Sequence, residues 1–360
     1  MDGAGSVQSF ETLGHRAQLH RLRRLAYKAL QQYPLPQPRL ALLQHEHNTT
    51  FHVWIASGER FVLRIHRPEQ HTTEAIRSEL LWLTALHQDT KLYIPQPVLT
   101  KDGGLLTIAE VDGIPEPRVC VLFRWLTGRF LNRSLTPTHL ERAGMFIGCL
   151  HEHTAQWSYP PHFVRGRVDN LTSTARFISR VDLRTTSLTD LEKHPTDEDV
   201  ERCLRLIAEL CSAEDSVVVL CAIHQIRQVL AELGYGAGVF GLIHADLHQE
   251  NYLFHRGSVL AIDFDDCGFG HYLYDLSVTL LEIQHLQQYA SLRNALLAGY
   301  RQARLLPSAH EDYLDTFFAL RHLQLVMWVL ESREHPTFRS EWKRWTQDEL
   351  QRLRLLLRNA

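Results

Sequence analysis

The run GLIHADLHQENYLF, residues 241–254, sets three side chains at fixed offsets: His244, Asp246 and Asn251. A second carboxylate cluster, IDFDD, follows the short turn RGS and places Asp263 twelve residues after Asn251. A strand-like run, a tight turn and a returning run make a hairpin that folds this separation back on itself. The amide oxygen of Asn251 and the carboxylate of Asp263 are hard ligands suited to Mg²⁺, which keeps several waters and binds substrate phosphates. Asp246 is then the carboxylate left to take or orient a hydroxyl proton. Phosphoryl transfer needs this division of labour: positioning and charge neutralisation on one side, one base for the incoming alcohol on the other. An H-x-D pair by itself implies no chemistry, because such pairs commonly cap loops.

The elements that must hold these residues follow from periodicity. HRLRRLAYKALQQY carries Leu22, Leu25, Ala26 and Leu30 at helical spacing, after a small, polar stretch over residues 1–16 that reads as a loose tail. RLALLQHEHNT, TFHVWIA and RFVLRIHR then read as an antiparallel meander, and TEAIRSELLWLTALHQ as a helix with Thr72 and Thr73 as candidate caps. GLLTIAE and RVCVLFRWL are further strands, ending at Gly128. Beyond that point the pattern is mainly helical, from PTHLERAGMFIGCLHEHTAQW onward, with an aperiodic surface loop expected over SYPPHFVRGRVDNLTSTARF. Two helices are expected around 196–212 and 215–233, and helices again from Leu276 to the end; the aromatics of FFAL, VMWVL and EWKRW read as core and helix contacts.

Composition bounds the function. A chain of 360 residues exceeds one domain of ~100 to 200 residues, so two packed units are expected. Its 44% apolar and 22% charged residues suit an ordinary globular protein, and a net charge of −3 gives no field for attracting a nucleic acid. The six cysteines form no C-x-x-C pair, which fits a reducing, cytoplasmic setting. No basic start precedes an apolar segment, and no apolar run nears ~18 residues, so neither targeting nor a membrane is expected. The 22 histidines are scattered, as surface or satisfied core residues would be.

In the order and spacing of these pieces, most of the chain, residues 36–333, resembles the aminoglycoside phosphotransferase and choline kinase group, which has a protein-kinase-like fold. HADLHQEN resembles that group's catalytic loop, which implies Asp246 as catalytic base, Asn251 as metal ligand and His244 as support of the loop. IDFDD resembles its metal-binding segment and implies Asp263 as the principal Mg²⁺ contact. GHYLYDLSV resembles the segment that follows, with Asp275 stabilising the lobe from below. FVLRIH places Arg64 where the group carries a phosphate-gripping lysine, and Glu79 in RSELLWL falls where a helix glutamate pairs with that cation. LFRWLTG resembles the linker whose backbone holds adenine, implying contacts at Arg124 and Leu126, with Trp125 either stacking near adenine or packing.

Two departures stand out. Arginine at position 64 is a planar, bidentate grip rather than a point charge. QHEHNTTFHV has no glycine where protein kinases carry a glycine-rich phosphate loop, leaving Asn48, Thr49 or Thr50 to reach the nucleotide. His248, Asp265 and Asp266 are candidate acceptor contacts, the histidine alternatively a solvated loop residue and the aspartates alternatively bonded to the local backbone.

The expected architecture is α+β and bilobal. Residues 1–35 form a tail and short helix, 36–123 a small antiparallel-sheet lobe, 124–128 a linker, and 129–360 a larger, mainly helical lobe. The expected function is that of a kinase using ATP, bound between the lobes, and Mg²⁺ to phosphorylate a hydroxyl of a small molecule: an amino alcohol, amino acid, sugar or aminoglycoside-like acceptor. The alternatives are a pseudokinase that senses nucleotide, a protein Ser/Thr kinase of the same fold, and a phosphohydrolase using IDFDD as nucleophile and acid. The last departs from the usual D-x-D pattern, since Cys267 stands where Thr or Val belongs and the motif lies late in the chain.

Overall fold

The structure, a computed structural model, describes residues 10, 13–46, 48–68, 70–131, 134–171, 180–182, 197–335 and 338–359. They divide into two compact units, one within residues 1–88 and 94–127, the other within 89–93 and 128–360. The first is built on a sheet and the second on helices, as the α+β reading requires.

In the first unit, β1 (Arg39–His45), β2 (Thr49–Trp54), β3 (Arg60–Ile65), β4 (Thr107–Ala109) and β5 (Arg118–Arg124) form one antiparallel sheet in the order β1-β2-β3-β5-β4. Strand alternation sorts their side chains between the two faces. Phe51, Val53, Phe61, Leu63, Ile65, Cys120 and Leu122 form one face and share a core with Leu22, Leu25, Ala26 and Leu30 of helix α1 (His15–Leu30). Each apolar side chain so buried contributes about 1.5–3 kcal/mol before the entropy of ordering is set against it. On the other face the register sets Thr50 opposite Arg64 and Arg64 opposite Val121, so Arg64 stands between a hydroxyl and an apolar side chain. Helix α1 begins at His15 from an extended Gly14, so the end of the stretch expected to be a tail is helical; residues 1–9, 11 and 12 lie outside the described residues. Helix α2 (Thr73–Asp89) starts where Thr72 Oγ1 accepts the Ala75 N–H at 3.2 Å, and it carries the buried Glu79.

The second unit begins its helical part with α3 (Pro137–Gln156), capped reciprocally by Thr136 and His139. Helix α7 (Tyr289–Ala303) crosses α3 at glycines: a Cβ at Gly144 would stand 1.9 Å from the Leu296 carbonyl oxygen, and one at Gly299 would stand 1.8 Å from that of Glu141. Between them in sequence come α4 (Asp197–Leu210), α5 (Ala213–Leu233) and α6 (Tyr272–Leu281), and after them α8 (Leu314–Glu331) and α9 (Trp342–Asn359). Among the described residues, α5 is the one helix long and apolar enough to cross a membrane by length and composition; here it packs on α4, α8 and α9. Three two-stranded pieces complete the unit: β6 (Val164–Gly166) with β7 (Arg180–Asp182), β8 (Phe240–Ile243) with β11 (Gly268–His271), and β9 (Tyr252–His255) with β10 (Ser258–Ala261). The β9–β10 turn runs through Arg256 and Gly257, both at positive φ (48° and 81°), as a two-residue hairpin turn demands.

One expectation is corrected here. The stretch read as an aperiodic surface loop contains β6 and buries Arg165, Arg167, Asp169 and Asn170. Arg165 donates to the carbonyls of Asp265 and Cys267, and Arg167 pairs with Asp169 while lying over the Tyr235 and Phe240 rings. These partners are distant in sequence or lie outside any periodic pattern, so hydropathy alone reads the segment as exposed. Its residues 172–177 lie outside the described residues, as does the start of the helix expected from 196.

Candidate active site

In the first unit, Arg64 on β3 is 5% exposed and Glu79 on α2 is 0% exposed. One guanidinium nitrogen, Nη2, reaches Glu79 Oε1 at 2.7 Å and Oε2 at 2.6 Å, Nε donates to His66 Nε2 at 3.2 Å, and the guanidinium lies over the Phe123 ring at 5.0 Å. The guanidinium is thus fixed by a carboxylate, an imidazole and a ring face, and Glu79 sets its orientation. Thr50 stands opposite Arg64, half-buried, on the same sheet face. Its neighbours are committed otherwise: Thr49 Oγ1 meets His45 Nδ1 at 2.8 Å, and Asn48 Oδ1 accepts the Arg67 N–H at 3.1 Å. His47, in the glycine-free stretch, lies outside the described residues. At the end of β5, the amides of Arg124 and Trp125 donate to the Gln96 and Arg60 carbonyls at 2.9 and 3.0 Å. Arg124 is exposed with Glu59 at 3.7 Å, Leu126 is half-buried, and Trp125 packs with His52 at 4.6 Å beneath the Arg60 guanidinium.

In the second unit the loop after β8 is held from below by α6. Asp275, 0% exposed, accepts the backbone N–H of His244 on Oδ2 (3.0 Å) and of Ala245 on Oδ1 (2.7 Å), the latter residue at φ 71°. His151 on α3 donates through Nε2 to Asp275 Oδ2 at 2.9 Å and faces the Tyr300 hydroxyl at 3.1 Å through Nδ1. Thr279 donates to the Leu247 carbonyl at 2.8 Å. His244 is buried, donates from Nε2 to the Ile262 carbonyl at 3.0 Å and accepts the Asp246 N–H on Nδ1 at 3.3 Å. Burial pushes the pKa of His244 and of His151 below the ordinary histidine value, so each ring is a neutral strut with one donor and one acceptor nitrogen.

Asn251 donates from Nδ2 to the Asp246 carbonyl (2.8 Å) and to Asp246 Oδ2 (3.1 Å), which leaves its amide oxygen as the end for a cation. The Asn251 carbonyl accepts the Ile262 N–H at 3.0 Å, so the residue preceding Asp263 is pinned to Asn251 across the hairpin base. Asp263 is exposed and sits at φ 61°, a left-handed conformation that aspartate tolerates better than most side chains. Two hard oxygen ligands fit a cation that draws its other ligands from phosphates and water. Among the described residues no cluster of three His, Cys, Asp or Glu side chains could hold a metal by itself.

His248 caps the short helix Gln249–Asn251, with Nδ1 accepting the Glu250 N–H and Nε2 standing 3.3 Å from Asp246 Oδ2. Burial alone would lower its pKa, but the hydrogen bond and charge of Asp246 outweigh that and raise it. Asp266 is half-buried, whereas Asp265 is 6% exposed, its carbonyl taken by Arg165. Of the acceptor candidates, His248 contacts Asp246.

Sequence reasoning missed Arg321 on α8, whose Nη2 donates to Asp246 Oδ1 at 2.6 Å. Burial opposes its charge, yet Tyr274 and Asp246 beside it raise its pKa above the ordinary arginine value, so it is a permanent cation. The available signal was a charged residue inside LDTFFALRHLQLVMWVLE, where burial demands a partner. His151 was likewise hidden among many histidines, at helical spacing with buried Ile147 and Leu150.

The arrangement supplies a held carboxylate, two oxygen ligands beside it and, in the first unit, a buried guanidinium. The model of the phosphotransferase enzyme family matches residues 40–311. A protein named amicoumacin kinase, from Bacillus subtilis, is 33% identical over 119 residues, 31% of this chain and 35% of its own length. One named homoserine kinase, from Neisseria meningitidis serogroup B, is 30% identical over 120 residues, 32% of this chain and 38% of its own. The match thus spans little more than a third of either relative. The solved structure of a microcompartment-associated aminopropanol kinase superposes with a TM-score of 0.73 at 28% identity, over 91% of this chain and 95% of that one.

Proposed function

The chain belongs to the phosphotransferase enzyme family, and from that premise we propose that it is an ATP- and Mg²⁺-dependent kinase phosphorylating a hydroxyl of a small molecule. The observation that carries this reading is the Asp246–Asn251–Ile262 linkage. One side-chain amide and one backbone bond tie a carboxylate suited to an alcohol proton to two oxygen ligands suited to a phosphate-bound cation. Mg²⁺, when bound on Asn251 and Asp263, would neutralise charge on the nucleotide phosphates.

This chain's own residues do the rest. Arg64, aimed by Glu79, grips phosphate, and the backbone at Arg124 and Leu126 takes adenine. Asp246 accepts the acceptor's O–H, orients its oxygen for in-line attack, and takes the proton late, as the bond to the γ-phosphorus forms and the bond from that phosphorus to the bridging oxygen of the departing ADP breaks. His244 keeps the loop in register through its two ring nitrogens. Homoserine and aminopropanol, the compounds named for two similar proteins, each carry a hydroxyl a few bonds from an amine, and that is the acceptor class proposed here. Six cysteines without a disulfide suit a reducing, cytoplasmic compartment.

The test is nucleotide consumption with Mg²⁺ across amino alcohols, homoserine-like amino acids, sugars and aminoglycosides, wild type beside Asp246→Asn. Acceptor-dependent ADP release that the variant lacks is the expected result. Nucleotide binding that needs Asp263, with no turnover on any acceptor, would replace the kinase by a nucleotide sensor.

A further inference from the structure

We propose that Arg321 is a positioning residue for phosphoryl transfer: it fixes Asp246 Oδ1 so that Oδ2 is the oxygen presented to the acceptor hydroxyl. The proposal rests on the reading of Asp246 as the carboxylate that orients the acceptor.

The two oxygens of Asp246 are held unequally. Oδ1 receives one short, charge-assisted bond from Arg321, at 2.6 Å. Oδ2 has two longer contacts, 3.1 Å to Asn251 Nδ2 and 3.3 Å to His248 Nε2. An incoming hydroxyl must take a lone pair on one oxygen or the other, and it displaces the weaker partner at lower cost. That selects Oδ2 and, of its two partners, His248, because Asn251 also holds the loop's Asp246 carbonyl at 2.8 Å.

Arg321 can serve as a fixed point because it is itself braced. Its Nη1 donates to the Tyr274 hydroxyl at 3.3 Å, and that hydroxyl donates to Gln324 Oε1 at 2.5 Å. Gln324 Nε2 in turn donates to the Asn170 carbonyl at 2.8 Å and to that of Val168. Every member points its donor the same way, away from Asp246 after the arginine, so each bond polarises the next. The chain runs through α6 and α8 into backbone that pairs with β11 through Val168 and Phe269. Lysine could balance the charge at position 321 but could not reach Asp246 and Tyr274 with a planar fork at once.

The experiment compares wild type, Arg321→Lys and Arg321→Met, with thermal unfolding of each checked first. The expected result is a kcat fall of about 100-fold in Arg321→Met, the size of effect that misplacing a reacting group by an ångström produces. Nucleotide affinity should be unchanged, Arg321→Lys should recover only part of the loss, and added guanidinium should restore turnover to Arg321→Met. Unchanged kcat in Arg321→Met, or a loss that tracks the unfolded fraction alone, overturns the proposal. A crystal structure of Arg321→Met decides it without any acceptor: Asp246 should leave its present rotamer, and an Asp246 that keeps both orientation and Asn251 bonds rules the positioning role out. If wild type itself turns over no acceptor, the kinase reading fails, and the Asp246 rotamer still decides whether Arg321 sets the carboxylate.

Discussion

Two of the arginine–carboxylate pairs, Arg64–Glu79 in the sheet unit and Arg321–Asp246 in the helical unit, are built to opposite ends. In the sheet unit, Arg64 and Glu79 are closed: their side chains are 6% and 1% exposed, and both carboxylate oxygens are taken by the guanidinium. In the helical unit, Arg321 and Asp246 are open: exposures are 13% and 21%, and the arginine takes one oxygen only. A carboxylate consumed by its partner can do nothing except hold that partner in place. A carboxylate held by a short ion pair on one oxygen and by longer contacts on the other is oriented and can still yield a contact to an incoming hydroxyl. The difference teaches which pair should govern folding and which should govern turnover.

The strongest way to break that comparison is Asp246→Asn. It should lower kcat by about 10³-fold, within the range for removing a positioned base, with nucleotide binding and unfolding midpoint little changed. A large loss of stability instead would put the open pair in the same class as the closed one. Next is Glu79→Ala, which strands a guanidinium in the interior and should cost about 3–5 kcal/mol of unfolding free energy, read by denaturant titration. Arg64→Lys sharpens the contrast: it keeps the charge and loses the fork, and about 1.5–3 kcal/mol should separate it from wild type. A lysine variant as stable as wild type would mean that charge alone holds Glu79.

The smallest effect is in pH. His248 has a raised pKa through Asp246, so its contribution is fully present below the ordinary histidine value near 6.5 and is lost as pH rises through its folded value. His271 is buried neutral with its pKa pushed down to about 4, so the stability tied to it is present above 6.5 and lost as pH falls toward 4. Stability measured across both windows should therefore show two slopes of opposite sign. Asp246→Asn should abolish the slope on the alkaline side and leave the acid one intact; an alkaline slope that survives assigns it to another group.

The closed pair was legible in the sequence and the open pair was not, for a physical reason. Arg64 and Glu79 lie on a strand and the helix that follows it, and the resemblance of FVLRIH and RSELLWL to the family's segments implied their meeting. Asp246, Asn251 and Asp263 were legible from their spacing, because a hairpin joins them. Arg321 comes to Asp246 from a helix 75 residues further along, and nothing local to FFALRHLQL says which carboxylate it meets. Tyr274, Gln324 and the buried segment around Arg165 share that difficulty: their partners are set by how helices pack. The reading of α8 as plain core packing was right for Phe317, Leu320 and Leu323, and it concealed the one cation among them that reaches Asp246.

The left-handed backbone at Ala245 has a further consequence. A non-glycine residue there costs about 1–3 kcal/mol and persists only while its surroundings hold it, here through the N–H given to Asp275. Opening the loop locally would release that strain, which favours its coming apart before the rest melts. On warming, such a loop would act as a fuse does: catalysis would fade over a range in which circular dichroism still reports every helix, and return on cooling. Thermal inactivation and thermal unfolding would then be two events with two midpoints, the first set by one alanine and the carboxylate beneath it.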